Sequence, residues 1–443
     1  TINGLEEPRI NLAVKSSTGL DDIDRLYPPL KGINGKVEAV GEIIGKYPDI
    51  LWRGRLSLKN LSYKSSPLGE MSSNVSLSRD QIMLSNTSAD IFAGHLTGNM
   101  TSSISTKEAP RYHLQLTFEK IRTEETKRII PEGFPVPGKT IDGNISLQGI
   151  GLNRESLSGE GEIRISGRPD EIKDKSNASW KEVLISLPED IQLAFKIAAG
   201  DLNIRTMKIS SAGSILEISG QVFKNNDMDL SVRSGIKAMK TFLEGSGITD
   251  LAGEIDLAGK LRGNISSPLF QGKIEMKDAL IKGVSIDRFS SNIVLTEEEI
   301  ELSNALAETG VATYKFQGKI AWKDNINNPY IDLDVKINSG SPAEIARMFH
   351  KEVRINTPIT GEMSVKGYVR ELNLLASLSI RQGEIYGQSI DSGRADLAIN
   401  NSGIRISSFI LERDKSILRG TGWIGFDGAF KSTIKAGGLR LED

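Results

Sequence analysis

The feature that most constrains this chain is a glycine-led strand motif that returns four times at nearly constant spacing. Gly35 opens Gly-Lys-Val-Glu-Ala-Val-Gly, Gly143 opens Gly-Asn-Ile-Ser-Leu-Gln-Gly, Gly253 opens Gly-Glu-Ile-Asp-Leu-Ala-Gly and Gly361 opens Gly-Glu-Met-Ser-Val-Lys-Gly. The steps from Gly35 to Gly143 to Gly253 to Gly361 are 108, 110 and 108 residues. Chance glycines do not fall into such a register, and a fixed period of this kind is the mark of a repeat architecture. The reading is therefore one continuous scaffold over 1–443, built from units of approximately 18–119, 120–234, 235–338 and 339–443.

Within each unit the apolar residues recur at every second position. A second strand follows each opener: Arg55 to Lys59 with Leu56 and Leu58, Glu162 to Ser166 with Ile163 and Ile165, Lys273 to Lys277 with Ile274 and Met276, and Ser377 to Arg381 with Leu378 and Ile380. Period-2 alternation places successive side chains on opposite faces, so these strands have one wet and one apolar face. Strands buried on both faces would be apolar throughout. The Asn400-Asn401-Ser402-Gly403 connection is hairpin chemistry between Leu397 and Ile399 on one side and Ile404 and Ile406 on the other. The turn at 296 to 299 similarly separates Ile293 and Leu295 from Ile300 and Leu302. Neighbouring strands are expected to be antiparallel.

A short helix is expected just before each opener. The clearest is Ser341-Pro342-Ala343-Glu344, where Ser can cap, Pro suits the first helical position and Glu can close a capping box, with Ile345, Met348 and Phe349 forming one stripe. Counterparts lie at Leu20 to Tyr27, Thr123 to Ile130 and Ile236 to Leu243, and an insertion between Pro169 and Pro188 carries Trp180, Val183 and Leu184 at helical spacing. The fold expected is mostly β: an elongated, curled antiparallel β-groove, U-shaped in section, of tandem repeats with short interspersed helices.

Reactive chemistry is hard to find in this chain. The 55 Lys and Arg balance 57 Asp and Glu, so there is no basic excess to hold a phosphate backbone and nucleic acid is not an expected partner. Without cysteine there is neither a disulfide framework nor thiol chemistry. The three histidines, His95, His113 and His350, stand at no metal-ligand spacing. Gly420-Thr-Gly422-Trp-Ile-Gly425 meets the dinucleotide fingerprint literally, but no helix should begin there. Glu297, Glu298 and Glu299 fit a solvated hairpin tip, and Asp21, Asp22 and Asp24 fit the first turn of a helix rather than a calcium loop. No enzyme, cofactor or metal is expected. The chain opens on Thr, and no apolar run approaches the roughly 18 residues of a membrane span, so it reads as a soluble segment of a longer protein.

What remains is an apolar stripe through all four units. It comprises Ile145, Leu147, Ile163, Ile165, Ile255, Leu257, Leu261, Ile274, Met276, Ile293 and Leu295. It continues through Ile300, Leu302, Met363, Val365, Leu378, Ile380, Leu397, Ile399, Ile404 and Ile406. The stripe could be buried against itself or a second sheet, as in a sandwich or β-helix. Alternatively it lines an open trough, and an aliphatic lining without fixed donors or acceptors suits acyl chains.

The recurring order of short helix, Gly-x-apolar-x-apolar-x-Gly strand, a loop that can hold Pro (Pro48, Pro268) and a second strand resembles the AsmA-like superfamily of bacterial envelope proteins. The stretch from Gly253 to Asp443, with Ser267-Pro268-Leu-Phe-Gln-Gly272-Lys-Ile-Glu-Met-Lys-Asp-Ala-Leu-Ile-Lys-Gly283, is similar to its TamB-like branch of bridge-like lipid transfer proteins. That resemblance implies a periplasmic groove on an inner-membrane anchor outside this segment, carrying phospholipid toward an outer-membrane protein partner. The alternative expectation is a periplasmic scaffold that assists outer-membrane protein assembly by β-strand augmentation.

Overall fold

A computed structural model describes residues 2–3, 9–20, 33–63, 66–104, 108–126, 139–151, 153–167, 189–211, 213–237, 251–281, 284–322, 328–343, 357–385 and 387–438. The chain divides into two compact units, Thr1–Leu230 and Ser231–Asp443. The first holds β1 (Ile2–Asn3), β2 (Arg9–Gly19), β3 (Ile33–Lys46), β4 (Asp49–Tyr63), β5 (Ser66–Leu77), β6 (Gln81–Ile91) and β7 (Gly94–Ser103). It continues with β8 (Arg111–Arg122), β9 (Thr140–Ile150), β10 (Ser158–Ser166), β11 (Asp190–Ala198), β12 (Asp201–Ser211) and β13 (Ser214–Val222). Along β14 (Asp227–Ile236) the chain passes from the first unit to the second. The second holds β15 (Leu251–Asn264), β16 (Ser267–Ile281), β17 (Val284–Leu295), β18 (Glu299–Thr309), β19 (Ala312–Ala321) and β20 (Tyr330–Gly340). It ends with β21 (Ile359–Tyr368), β22 (Asn373–Ile385), β23 (Gln388–Asn400), β24 (Gly403–Arg413), β25 (Ser416–Gly425) and β26 (Phe430–Gly437).

Each strand from β1 to β13 pairs antiparallel with its successor in sequence. The same holds from β15 to β26. Among the described residues no pairing closes either meander, so neither forms a barrel, consistent with the expected curled antiparallel groove.

Local chemistry explains the turns. Asn400 pairs with Gly403 across a two-residue turn, and the Asn400 side-chain oxygen accepts from the Ser402 backbone N–H at 2.9 Å. Thr296 Oγ1 likewise accepts from the backbone N–H groups of Glu298 and Glu299. The second strands prove longer than the five-residue cores read from sequence, because alternation continues through small and polar residues; β4 and β16 each span 15 residues.

The four opener glycines fall on β3, β9, β15 and β21, each six strands after the last. All four approach the backbone of the following strand. A Cβ on Gly143 or Gly361 would overlap the carbonyl oxygen of Glu162 or Ser377, and one on Gly35 or Gly253 would come within 3.0 Å of the Lys59 oxygen or 2.8 Å of the Ala279 Cα. Only glycine fits where neighbouring backbones come so close.

A second device repeats at a longer interval. Asn60, Asn86 and Lys120 have positive φ in β4, β6 and β8, and Asp278, Asn304 and Ser339 have it in β16, β18 and β20, 218 or 219 residues further on. The register slips at these sites, for example between Leu84 and Thr87 and between Leu302 and Ala305. One extra residue on the bulged strand bends it and increases its twist. A buried serine ties each middle bulge down: Ser73 Oγ donates to the Ser85 carbonyl at 3.3 Å, and Ser291 Oγ to the Ser303 carbonyl at 3.3 Å.

Helical backbone occurs at Leu20, at Thr123–Thr126 and at Pro342–Ala343, where three of the expected helices begin. Their remainders, most of Ile236 to Leu243, and the insertion with Trp180, Val183 and Leu184 lie outside the described residues.

Candidate functional site

Following Cα partners from strand to strand exposes one uninterrupted file in each unit. In the second unit it runs Gly259, Gly272, Ile293, Leu302, Gly318, Leu333 on β15 to β20, then Val365, Leu374, Ile399, Ile404, Ile424, Phe430 on β21 to β26. In the first unit it runs Val14, Gly41, Gly54, Val75, Leu84, Met100 on β2 to β7, then Leu114, Leu147, Gly159, Ile197, Leu202, Val222 on β8 to β13. Neither file contains a polar side chain. Because directly paired residues share a face, each file is a continuous apolar ladder across its sheet.

The sequence-derived lining falls on these ladders and the rows beside them. Ile293, Leu302, Val365, Ile399 and Ile404 are on the second ladder, and Leu261, Leu295 and Ile300 form the next row with Phe270. On the other side Leu257 pairs with Ile274, Ile255 with Met276, and Met363 leads through Ala376 and Leu397 to Ile406. Leu378 and Ile380 continue that face opposite Gly361 and Ile359. In the first unit Leu147 is on the ladder, with Ile145, Ile163 and Ile165 on the same face of β9 and β10. Met276 and Ile293 are buried and the others half-buried. On β15, Ile255, Leu257 and Leu261 are half-buried while Glu254, Asp256, Lys260 and Arg262 are exposed, the alternation expected.

Sequence reasoning missed Leu333, Leu374 and Ile424, and most of the first ladder. The Leu372-Asn373-Leu374-Leu375 run hides its phase: Leu374 is 3% exposed and Leu375, on the opposite face, 62%. At Gly41–Gly54 and Gly259–Gly272 two glycines face each other, and aromatic rings close over them. A Cβ on Gly54 would lie 2.8 Å from Trp52 Cζ2, and one on Gly259 would lie 2.6 Å from Phe270 Cζ. These rings keep the ladder apolar where it has no side chain of its own.

The opposite face is polar, and a cavity lies over it in each unit. One, of about 1040 Å³, is lined by Asn304 and Leu306 about Ala305, Lys315 and Gln317 about Phe316, Asp334 and Lys336 about Val335, and onward to Asp396. Residues flanking an apolar position point away from the ladder, so their side chains meet this cavity from the polar face, while Ala305, Phe316, Val335, Ala376 and the predicted lining residues Met363 and Leu397 also contribute to it. The other, about 640 Å³, takes the corresponding place in the first unit: Asn86, Ser88, Thr97, Asn99, Gln115, Thr117, Asn144 and Ser146 contribute to it.

Under these cavities the two sheets differ sharply in charge. In the second unit the polar-face rows of β19 to β21 are Lys319–Asp332–Lys366, Gln317–Asp334–Ser364 and Lys315–Lys336–Glu362. Ion pairs cross them, Lys366 to Asp332 at 3.1 Å and Lys336 to Glu362 at 3.1 Å, and hydrogen bonding to Asp332 raises the Lys366 pKa. The corresponding rows of β7 to β9 are Thr101–His113–Gln148, Asn99–Gln115–Ser146 and Thr97–Thr117–Asn144, without a single Lys, Arg, Asp or Glu.

The remaining candidates stay apart. His95 Nδ1 lies 2.8 Å from Asp90 Oδ1 at an exposed site, His113 stands in the neutral rows, and His350 lies outside the described residues, as do Asp21, Asp22 and Asp24. Gly420 to Gly425 run within β25 and pair with β26, and Glu297 to Glu299 join β17 to β18 at a turn. Among the described residues no three His, Cys, Asp or Glu groups are placed to hold a metal ion, and no helix is long and apolar enough to cross a membrane. No protein-family model and no curated protein matches the chain.

Proposed function

We propose that the chain is a segment of a periplasmic conduit that carries phospholipid between the inner and outer membranes of a diderm bacterium. The observation that carries this reading is the pair of unbroken apolar ladders, each crossing twelve consecutive strands without a polar side chain. Acyl chains would lie along the ladders and the rows beside them. Headgroups would stay in water, because the face offers them no fixed donor or acceptor. Burial of an aliphatic chain is non-directional, at about 25 cal/mol per Å², so such a face holds a lipid without selecting its position and lets it slide. Direction would come from elsewhere.

In this proposal the four glycine-led units are tandem repeats of the AsmA-like, TamB-like kind. Their sheet curls into a groove, and the protein is anchored in the inner membrane and engages an outer-membrane partner. The repeated opener glycines and bulges support it. A strand-pairing scaffold for outer-membrane proteins is the second reading, favoured by β26, whose eight residues are all exposed and which pairs only with β25 among the described residues.

The test places a photo-crosslinker at Leu302 or Ile399, on the ladder, and at Glu301 or Asn400, one residue away on the other face. Expected is phospholipid capture at 302 and 399 only, and loss of lipid movement in Leu302→Asp and Ile399→Asp with the β-sheet spectrum retained. Ile274→Asp and Leu378→Asp should behave alike, and the same change at Lys273 should leave lipid movement nearly unchanged. Equal capture at both parities, or crosslinks from β26 to barrel proteins without lipid on the ladder, sinks the conduit in favour of the scaffold.

A further inference from the structure

From the neutral rows of β7 to β9 we infer a second binding surface, for an uncharged glycan, on the face opposite the first ladder. Nine side chains from three adjacent strands form the rows described above, and all are hydroxyls, amides or the His113 imidazole. They are exposed or half-buried. The corresponding nine positions on β19 to β21 carry seven charges, so a sheet of this design does not require neutrality there. Ordinary solvation is met more simply by charge, as the second unit shows.

The chemistry of such a patch narrows what it can hold. Each Asn or Gln offers a donor pair and an acceptor on one planar group, and each Ser or Thr offers one donor and acceptor capacity. This is the complement of a sugar, whose hydroxyls need both roles at once. A charged side chain keeps its water, and a neutral ligand that displaces this water returns no compensating charge; amides and hydroxyls shed theirs at smaller cost. The rows hold no Lys, Arg, Asp or Glu with which to meet an anion or a cation. The rows repeat about every 6.8 Å along the strands, and their members stand about 4.8 Å apart across them. The cavity of about 640 Å³ is lined by two of the three rows together with Leu116, Ile145 and Glu160, whose carboxylate is held by Arg205 at 2.7 Å. Asn99 Oδ1 is engaged by the Asn86 backbone N–H at 3.0 Å, which fixes that amide and leaves its NH₂ directed by the bulge.

The test exchanges the two surfaces on the full chain. Neutral hexasaccharides of β-1,4-linked N-acetylglucosamine, β-1,4-linked glucose and α-1,4-linked glucose are titrated by calorimetry and by chemical-shift changes at the β7 to β9 amides. The triple variant Thr97→Lys, Gln115→Asp, Gln148→Lys installs residues that the chain itself carries at the corresponding places of the second unit, so it keeps the strand fold. Expected is binding of at least one hexasaccharide with shifts confined to β6 to β10, weakened about tenfold or more in the variant, which must keep the parent β-sheet spectrum. Binding of none of the three by the parent chain, or equal binding by parent and variant, overturns the inference. Because lipid capture on the ladder is read separately, failure here leaves the conduit untouched.

Discussion

At the scale of single residues, the working parts are small side chains at closely packed places. Ser291 is 1% exposed, and its hydroxyl donates to the Asn292 carbonyl at 2.8 Å as well as to Ser303. Ser73 repeats the arrangement and adds Thr87 Oγ1 at 2.9 Å. Removing a buried donor leaves its acceptors unsatisfied at about 1–3 kcal/mol, and the bulge it holds would loosen. Ser291→Val is therefore expected to lower the opening free energy of β17 and β18 amides by that amount in hydrogen exchange. Ser389→Val, at an exposed strand position, should change it by less than about 0.5 kcal/mol. Equal protection in both variants would show that the serine does not hold the bulge.

At the scale of elements, strands are joined on the polar face by isolated ion pairs that contribute little each, and one is better placed than the rest. Asp190 of β11 faces Arg164 Nε of β10 at 2.7 Å and also accepts from Gln192 and Ser166. Partial burial pushes its carboxyl pKa up, but hydrogen bonds from Arg164, Gln192 and Ser166 outweigh this and hold it below the ordinary value. A depressed folded pKa contributes stability that is present above the unfolded carboxylate pKa near 4 and is lost as pH falls through the folded value. Asp190→Asn should cost about 0.5–1 kcal/mol in the β10–β11 pairing at neutral pH, with the parent converging on the variant as pH drops below about 4. Exchange protection of β10 and β11 read against pH checks the sign. A difference that grows in acid would reverse the assignment.

At the scale of the molecule, every described pairing within a unit joins strands that are neighbours in sequence. Stability in such a chain is a sum of nearest-neighbour terms, and unfolding can begin in one place without the rest. Leu84→Asp, which puts a carboxylate on the first ladder, is expected to speed exchange in β5 to β7 at least tenfold while β15 to β26 keep their protection. Loss of protection across both units at once would mean that they fold as a single cooperative body.

The sequence alone determined the class of structure. Glycine spacing marked the openers, alternation marked the strands and their faces, and turn chemistry marked hairpins such as Asn400 to Gly403, because these signals depend on neighbours within a few residues. Much of the candidate lining was legible for the same reason: Leu302 and Val365 each stand between polar neighbours. The ladders themselves were not. Whether Leu374 or Leu375 faces the apolar side depends on register with β21 and β23, and whether Gly259 belongs to an apolar file depends on Phe270 closing over it from β16. The neutral rows of β7 to β9 were invisible for the same cause, since Thr97, Thr117 and Asn144 become neighbours only when pairing sets them side by side. Cross-strand register is a relation between distant segments, and only the folded sheet decides it.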